Sequence, residues 1–131
     1  MEKYQLVAKI LVILLVCASL IGCAGKIYTK DSFPGWTWIG SNSDSESLYI
    51  DKTNIRESNG NALAWFTMTM DGGDYVRYYL EIECTSNKFK VLSAARYDER
   101  GNVKEALNEE ENWRYASINT AYFFMIKEAC K

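Results

Sequence analysis

The side chains of this sequence best suited to chemistry are four cysteines and a surplus of carboxylates, and histidine is absent. Without an imidazole, neither a Ser-His-Asp relay nor a Cys-His pair can be assembled. A His-ligated zinc and a proximal-His haem are excluded in the same way. Glu81 and Glu83 stand two apart in a strand-like stretch, which sets their carboxylates on one face roughly 7 Å apart. A glycosidase uses paired carboxylates, but the solvated outer face of an antiparallel sheet carries such pairs too, and that is the reading adopted here. Glu109-Glu110-Glu111 reads as an exposed acidic loop by the same reasoning. Asp71-Gly72-Gly73-Asp74 is too short for a calcium loop, and no Gly-rich phosphate-binding motif occurs. No residue is therefore assigned to catalysis, to a cofactor or to a metal, and the chain is read as a non-enzyme.

The thiols are more informative. Cys23 follows Leu20-Ile21-Gly22, and upstream of it lie Lys3, Lys9 and an apolar run from Ile10 to Leu20 broken only by Ser19. The run is shorter than the roughly 18 residues that suit a bilayer span, so it reads as a secretion signal. The tetrad Leu-Ile-Gly-Cys matches the lipobox of bacterial lipoproteins. Small Gly22 lets a signal peptidase close on the chain, and the thiol accepts a diacylglyceryl thioether. Bulky Val16 makes Cys17 a poorer acceptor. Each buried methylene of a fatty chain such as palmitate contributes ~0.8 kcal/mol of membrane affinity. Ala24 stands where an aspartate signals inner-membrane retention in many Gram-negative species, so a Gram-negative source implies the outer membrane.

Export puts the remaining thiols, Cys84 and Cys130, in an oxidising compartment, where such a pair forms a disulfide. The closed loop of about 47 residues is worth ~4 kcal/mol at most on the chain-entropy model. Two free buried thiols are the alternative.

Stepping out from these residues, the elements that must hold them are mostly strands. Residues 1–22 are read as the signal, 23–35 as a lipidated tether ending in the turn Pro34-Gly35, and 36–131 as one folded domain. Trp36-Thr37-Trp38-Ile39 and Leu48-Tyr49-Ile50 read as short strands separated by the turn-forming run 41–47. Asn59-Gly60-Asn61 opens a long strand over 62–70. Next comes the clearest two-residue period in the chain: Val76, Tyr78, Leu80, Ile82 and Cys84 on one face, Tyr75, Arg77, Tyr79, Glu81 and Glu83 on the other. The first set faces the core. A strand over 88–97 follows, with Phe89, Val91, Ala95 and Tyr97 expected inward, and residues 105–112 read as loosely helical or irregular. Ile118, Tyr122, Met125 and Ala129 then form a helical stripe of about three turns, capped by Ser117 or Asn119, which brings Cys130 over Cys84. The expected fold is α+β, an antiparallel meander of about five to six strands with a C-terminal helix packed on one face and stapled by a disulfide.

Net charge is −2 and no basic run stands out, so nucleic acid is not an expected partner. Aromatic content is 14%, with nine tyrosines and four tryptophans, and Tyr75, Arg77 and Tyr79 share one strand face. Those residue types suit an interface; cross-strand pairing that stiffens the sheet is the other reading.

Taken in order, Tyr49-Ile50-Asp51 with Ile55, Trp65, Glu81-Ile82-Glu83-Cys84, Tyr97-Asp98 with Gly101, Trp113 and Cys130 resemble the surface-adhesin protein E-like domain of bacterial lipoproteins. The resemblance spans residues 36–130 and departs after the first domain cysteine, where Thr85, Ser86 and Asn87 occupy places that the family often gives to a basic pair. It implies a curved antiparallel sheet stapled to a C-terminal helix, and binding of host extracellular-matrix proteins such as vitronectin and laminin at the cell surface. Two other readings stand beside it. One is a periplasm-facing structural or inhibitory lipoprotein that contacts another envelope protein; the other is a carrier holding a small ligand between helix and sheet. The first testable consequence concerns the anchor. Mass spectrometry of the membrane-extracted protein is expected to find a chain starting at an acylated Cys23, and Cys23→Ala is expected to abolish palmitate incorporation.

Overall fold

The computed structural model describes residues 26–107 and 112–131; Cys23 with the signal before it, and Glu109, Glu110 and Glu111, lie outside the described residues. Among the described residues the strands number eight, β1 (Thr37–Ser41), β2 (Ser47–Ile50), β3 (Arg56–Ser58), β4 (Asn61–Thr69), β5 (Tyr75–Glu83), β6 (Lys88–Tyr97), β7 (Val103–Leu107) and β8 (Arg114–Tyr115), followed by the helix α1 (Ala121–Ala129). All pairings are antiparallel, in the order β1-β2-β4-β5-β6-β7. The short β3 pairs with β4 beyond the end of β2, and β8 pairs with β6 beyond the end of β7. The sheet is thus six positions wide with eight strands.

Turn chemistry sets the meander. Asn59 and Gly60 both have positive φ, 52° and 80°, between the paired residues Ser58 and Asn61. A two-residue hairpin needs that left-handed geometry at both central positions, and Asn-Gly supplies it at low steric cost. The β4–β5 hairpin closes through a hydrogen bond from Met70 N–H to Asp74 C=O at 2.8 Å. At the β6–β7 turn, Asp98 Oδ1 accepts the N–H groups of Arg100 and Asn102, each at 2.9 Å.

One face of the sheet carries Leu48, Ile50, Ala64, Phe66, Leu80, Ile82, Phe89, Val91 and Ala94, and α1 lays Met125, Ile126 and Ala129 on it. Ile50, Ala64, Phe66, Leu80, Ile82 and Met125 are wholly inaccessible to solvent. The Cys84–Cys130 disulfide joins the end of β5 to the residue closing α1, with the two Cα atoms 5.7 Å apart.

Four local expectations need correction. In β6 the pairing slips by one residue: Tyr79 lies opposite Ser93 and Leu80 opposite Val91, leaving Leu92 without a partner. Past this bulge the alternation inverts, so Ala94 faces the helix while Ala95 and Tyr97 turn to the opposite face. Residues 105–107, expected to be irregular or loosely helical, belong instead to the strand β7, because the turn at Asp98 returns them alongside β6. The helix cap is Thr120, whose Oγ1 accepts from Phe123 N–H at 3.4 Å, rather than Ser117 or Asn119; Asn119 has φ 66° and belongs to the preceding turn. Ile118 accordingly falls outside the helix and is 75% exposed.

The bonded cysteines are 46 positions apart in sequence, and loop closure on that scale is worth about 4 kcal/mol before strain is subtracted. Cys84→Ser or full reduction is expected to lower the urea midpoint by an amount corresponding to up to about 4 kcal/mol. An unchanged midpoint would mean that α1 docks without the bond.

Candidate functional site

The strand register builds the site on the face away from α1. Between β4 and β5, Trp65 lies opposite Tyr79, Thr67 opposite Arg77 and Thr69 opposite Tyr75. Between β5 and β6, Tyr75 lies opposite Tyr97, Arg77 opposite Ala95 and Tyr79 opposite Ser93. Rings therefore flank a row in which Arg77 has only small neighbours across each strand, leaving room for its side chain to lie flat. Trp65 stacks on Tyr79 with ring centroids 4.6 Å apart, and Tyr75 stacks on Tyr97 at 5.1 Å.

This face is covered at one end, contrary to a fully solvated outer surface. Within the stretch read as a tether, Phe33 packs edge-on against Tyr49 and Tyr75 at 4.8 and 5.1 Å, and Tyr28 stacks on Phe33 at 5.3 Å. The Tyr28 hydroxyl donates to Gly73 C=O and the Tyr49 hydroxyl to Thr29 C=O. Burial, reinforced by the charges around it, pushes the Tyr28 phenol up to about 12, and burial also raises Tyr49. Apolar rings at 28 and 33 gain by leaving water, and this second small core is where they go. Tyr75, expected on an open face with Arg77 and Tyr79, is only 8% exposed beneath these rings. Of the three residues singled out on this strand face, Tyr75 is thus covered, while Arg77 and Tyr79 are half-buried.

Beside the covered end lies a groove of about 470 Å³, walled by Trp36, Trp65, Tyr79 and Tyr97, with Arg77, Arg56, Asp51 and Asn54 supplying its polar groups. The Arg77 guanidinium lies 5.0 Å from the Trp36 ring, 5.5 Å from Tyr75, 5.7 Å from Tyr97 and 6.0 Å from Phe33. Cation–π attraction at such distances holds the charge among the rings, and Arg77 Nε donates to Thr67 Oγ1 at 3.3 Å. Asp51 is occupied locally. Its Oδ1 accepts from Thr53 N–H and Oγ1–H at 3.2 and 2.7 Å, and its Oδ2 accepts from Asn54 Nδ2 at 2.7 Å. Burial alone would raise this carboxyl, but those bonds hold it below the usual carboxylate range. Of the groove residues, Trp36, Trp65 and Tyr97 were missed as members of the site by the sequence reading. The two-residue alternation had placed Tyr97 on the wrong face, and nothing local tied Trp36 to β5.

The other candidates resolve plainly. Glu81 pairs in register with Lys90 and Glu83 with Lys88, and Glu81 Oε2 accepts from Asn61 Nδ2 at 2.9 Å. Beneath Tyr122 and Met125 the helix–sheet interface is filled, with Tyr122 stacked on Phe89 at 4.3 Å and Met125 fully buried. A smaller, mainly apolar cleft of about 260 Å³ lies between the β1–β2 hairpin and the start of α1, lined in part by Ile39, Leu48, Met68 and Phe124. Among the described residues, no group of three or more His, Cys, Asp or Glu side chains is placed to hold a metal. No helix among them is long and apolar enough to cross a membrane.

With this architecture in view, comparison with known proteins defines the class. The family model of surface-adhesin protein E matches residues 36–131, and the chain belongs to that family. No curated protein and no solved structure matches it.

A charged knot holds the far side of the sheet. Asp74 Oδ2 accepts from Arg96 Nε and Nη2 at 3.0 and 2.7 Å and from Lys104 Nζ at 2.9 Å, which ties the start of β5 to β6 and β7. The hydrogen bonds from Lys104 and Arg96 hold this carboxyl below its ordinary range. A carboxyl more acidic in the folded state stabilises fully above the unfolded value, about 3.9, and loses that contribution as pH falls through the folded value. Urea midpoints are therefore expected to drop as pH falls below about 4. Asp74→Asn is expected to flatten part of that drop; a wild-type slope in the variant would assign the acid sensitivity to other carboxylates.

Proposed function

We propose that this protein is a lipid-anchored, non-enzymatic surface protein that binds a partner protein through the aromatic groove beside Arg77. Family membership points to an adhesin-like role at the cell surface. The observation that carries the reading is the groove itself, a concave stretch of sheet presenting Trp36, Trp65, Tyr79 and Tyr97 around an ordered arginine. Tryptophan, tyrosine and arginine are the residues most often found to dominate binding energy; the two aromatics bring large contact area with few rotamers to freeze, and arginine adds a planar fork of donors. Acylation at Cys23 would hold the module at the envelope, and the host matrix proteins bound by relatives are the first partners to try.

The purified domain, residues 24–131, is expected to bind at least one host matrix protein saturably in biolayer interferometry. Tyr79→Ala is expected to weaken that binding by about tenfold, an interfacial contribution of ~1.4 kcal/mol. Unaffected binding in both Tyr79→Ala and Trp36→Ala variants would move the contact elsewhere. Absence of saturable binding, together with a domain protected from protease on intact cells, would favour the periplasm-facing role instead.

A further inference from the structure

Two arginines of this sheet are treated very differently by their surroundings. Arg96 spends its Nε and Nη2 on Asp74. Arg77 spends only Nε, on Thr67, and its two terminal nitrogens make no hydrogen bond or ion pair with any described residue. A guanidinium carries five N–H donors and never loses its charge at physiological pH. Among the described residues the buried side-chain atom without a partner is Ser86 Oγ, so the outer four donors of Arg77 are open to solvent in the groove, where an anion can take the place of the water that meets them. The group is also already ordered, since the rings of Trp36, Tyr75 and Tyr97 and the bond to Thr67 fix where it lies. An ordered fork of donors loses little freedom on capturing a planar two-oxygen acceptor.

The groove's charge fits such a ligand. Arg56 is exposed at its edge and forms no ion pair with a described residue. The carboxylate in the lining, Asp51, has both oxygens engaged by Thr53 and Asn54. A chain of net charge −2 thus presents a locally cationic, aromatic-walled groove. We propose that this groove recognises a carboxylate on an acidic segment of the partner protein, gripped in bidentate fashion by Arg77 and steered in by Arg56, with apolar neighbours of that carboxylate resting on the rings. The proposal rests on the protein-binding reading above and names the chemistry of its ligand. A polyanionic glycan is the less suited occupant. Such a chain is best held by cations repeated along its length, whereas these two are confined to one groove with aromatic walls.

The test uses the full-length lipidated protein in detergent micelles and tryptophan fluorescence, with calorimetry to confirm. The probe is the blocked peptide Leu-Glu-Tyr-Glu-Leu, its Gln-for-Glu counterpart is the control, and hyaluronan oligosaccharides form the acidic-glycan arm. The Glu peptide is expected to bind at least tenfold more tightly than the Gln peptide and to weaken as salt is raised. Arg77→Lys keeps the charge but loses the fork, and is expected to lower affinity at least tenfold. Arg56→Glu changes an exposed side chain, so it reads out the charge even where an Arg77 variant melts early, and it is expected to weaken binding as well. Equal binding of both peptides, binding of hyaluronan without the Glu peptide, or binding of neither would overturn the proposal. The same two variants separate it from its parent reading. A matrix protein that binds wild type and both variants equally would leave adhesion standing and remove the carboxylate contact.

Discussion

A helix of nine residues has too few internal hydrogen bonds to persist in water by itself, and the main core of this protein depends on having one in place. Without α1, the face carrying Ile50, Phe66, Leu80 and Ile82 would stand open to solvent. Packing of Met125, Ile126 and Ala129 provides the favourable free energy, and the Cys84–Cys130 bond confines the helix end to the end of β5 in any state of the chain. The cross-link acts chiefly by removing open conformations from the unfolded ensemble. Its place matters as much as its strength. Cys84 ends the β5 alternation on the covered face, so the bond pulls the helix over the core.

A sheet sealed on one side by a pinned helix has its other side left to interact. That side is divided between two treatments. At one end Tyr28 and Phe33 close over Tyr49 and Tyr75, and the hydroxyls of Tyr28 and Tyr49 bond to backbone carbonyls of Gly73 and Thr29. Beside this, the rings of Trp36, Trp65, Tyr79 and Tyr97 remain around a groove instead of a core. The covered end supports the open one. Tyr75 stacks on Tyr97 and lies against Arg77, so the buried cluster positions the accessible residues. One sheet face thus carries both a buried aromatic cluster and an accessible aromatic groove, and exposure is what separates the two.

The family relationship and the groove constrain function from different directions. Membership in the surface-adhesin protein E family directs attention to the outside of the cell. The groove directs it to particular side chains, the rings of Trp36, Trp65, Tyr79 and Tyr97 around Arg77. The carboxylates Glu81 and Glu83 face Lys90 and Lys88 across the strand pair.

Local pattern was enough to recover much of this protein. The β5 alternation, the Asn59-Gly60 turn, the helical period after Ile118 and the inward aim of Cys84 are all short-range signals, written within a few residues of one another. The α+β fold with its stapled helix followed from them. Other features were decided by partners distant in sequence. The unpaired Leu92 inverts the facing of Ala94, Ala95 and Tyr97 because of how β6 meets β5; strand β7 exists because β6 offers it an edge; and Tyr28 and Phe33 fold down because the second face of the sheet gives their rings a place out of water. The chain's small negative charge concealed the pairing of Arg56 with Arg77 in one groove, since composition sums charges that only folding brings together. Alternation and turn chemistry act between chain neighbours and can be read there, whereas a bulge, an edge pairing or a ring-lined groove is a property of segments that meet only once the sheet has formed.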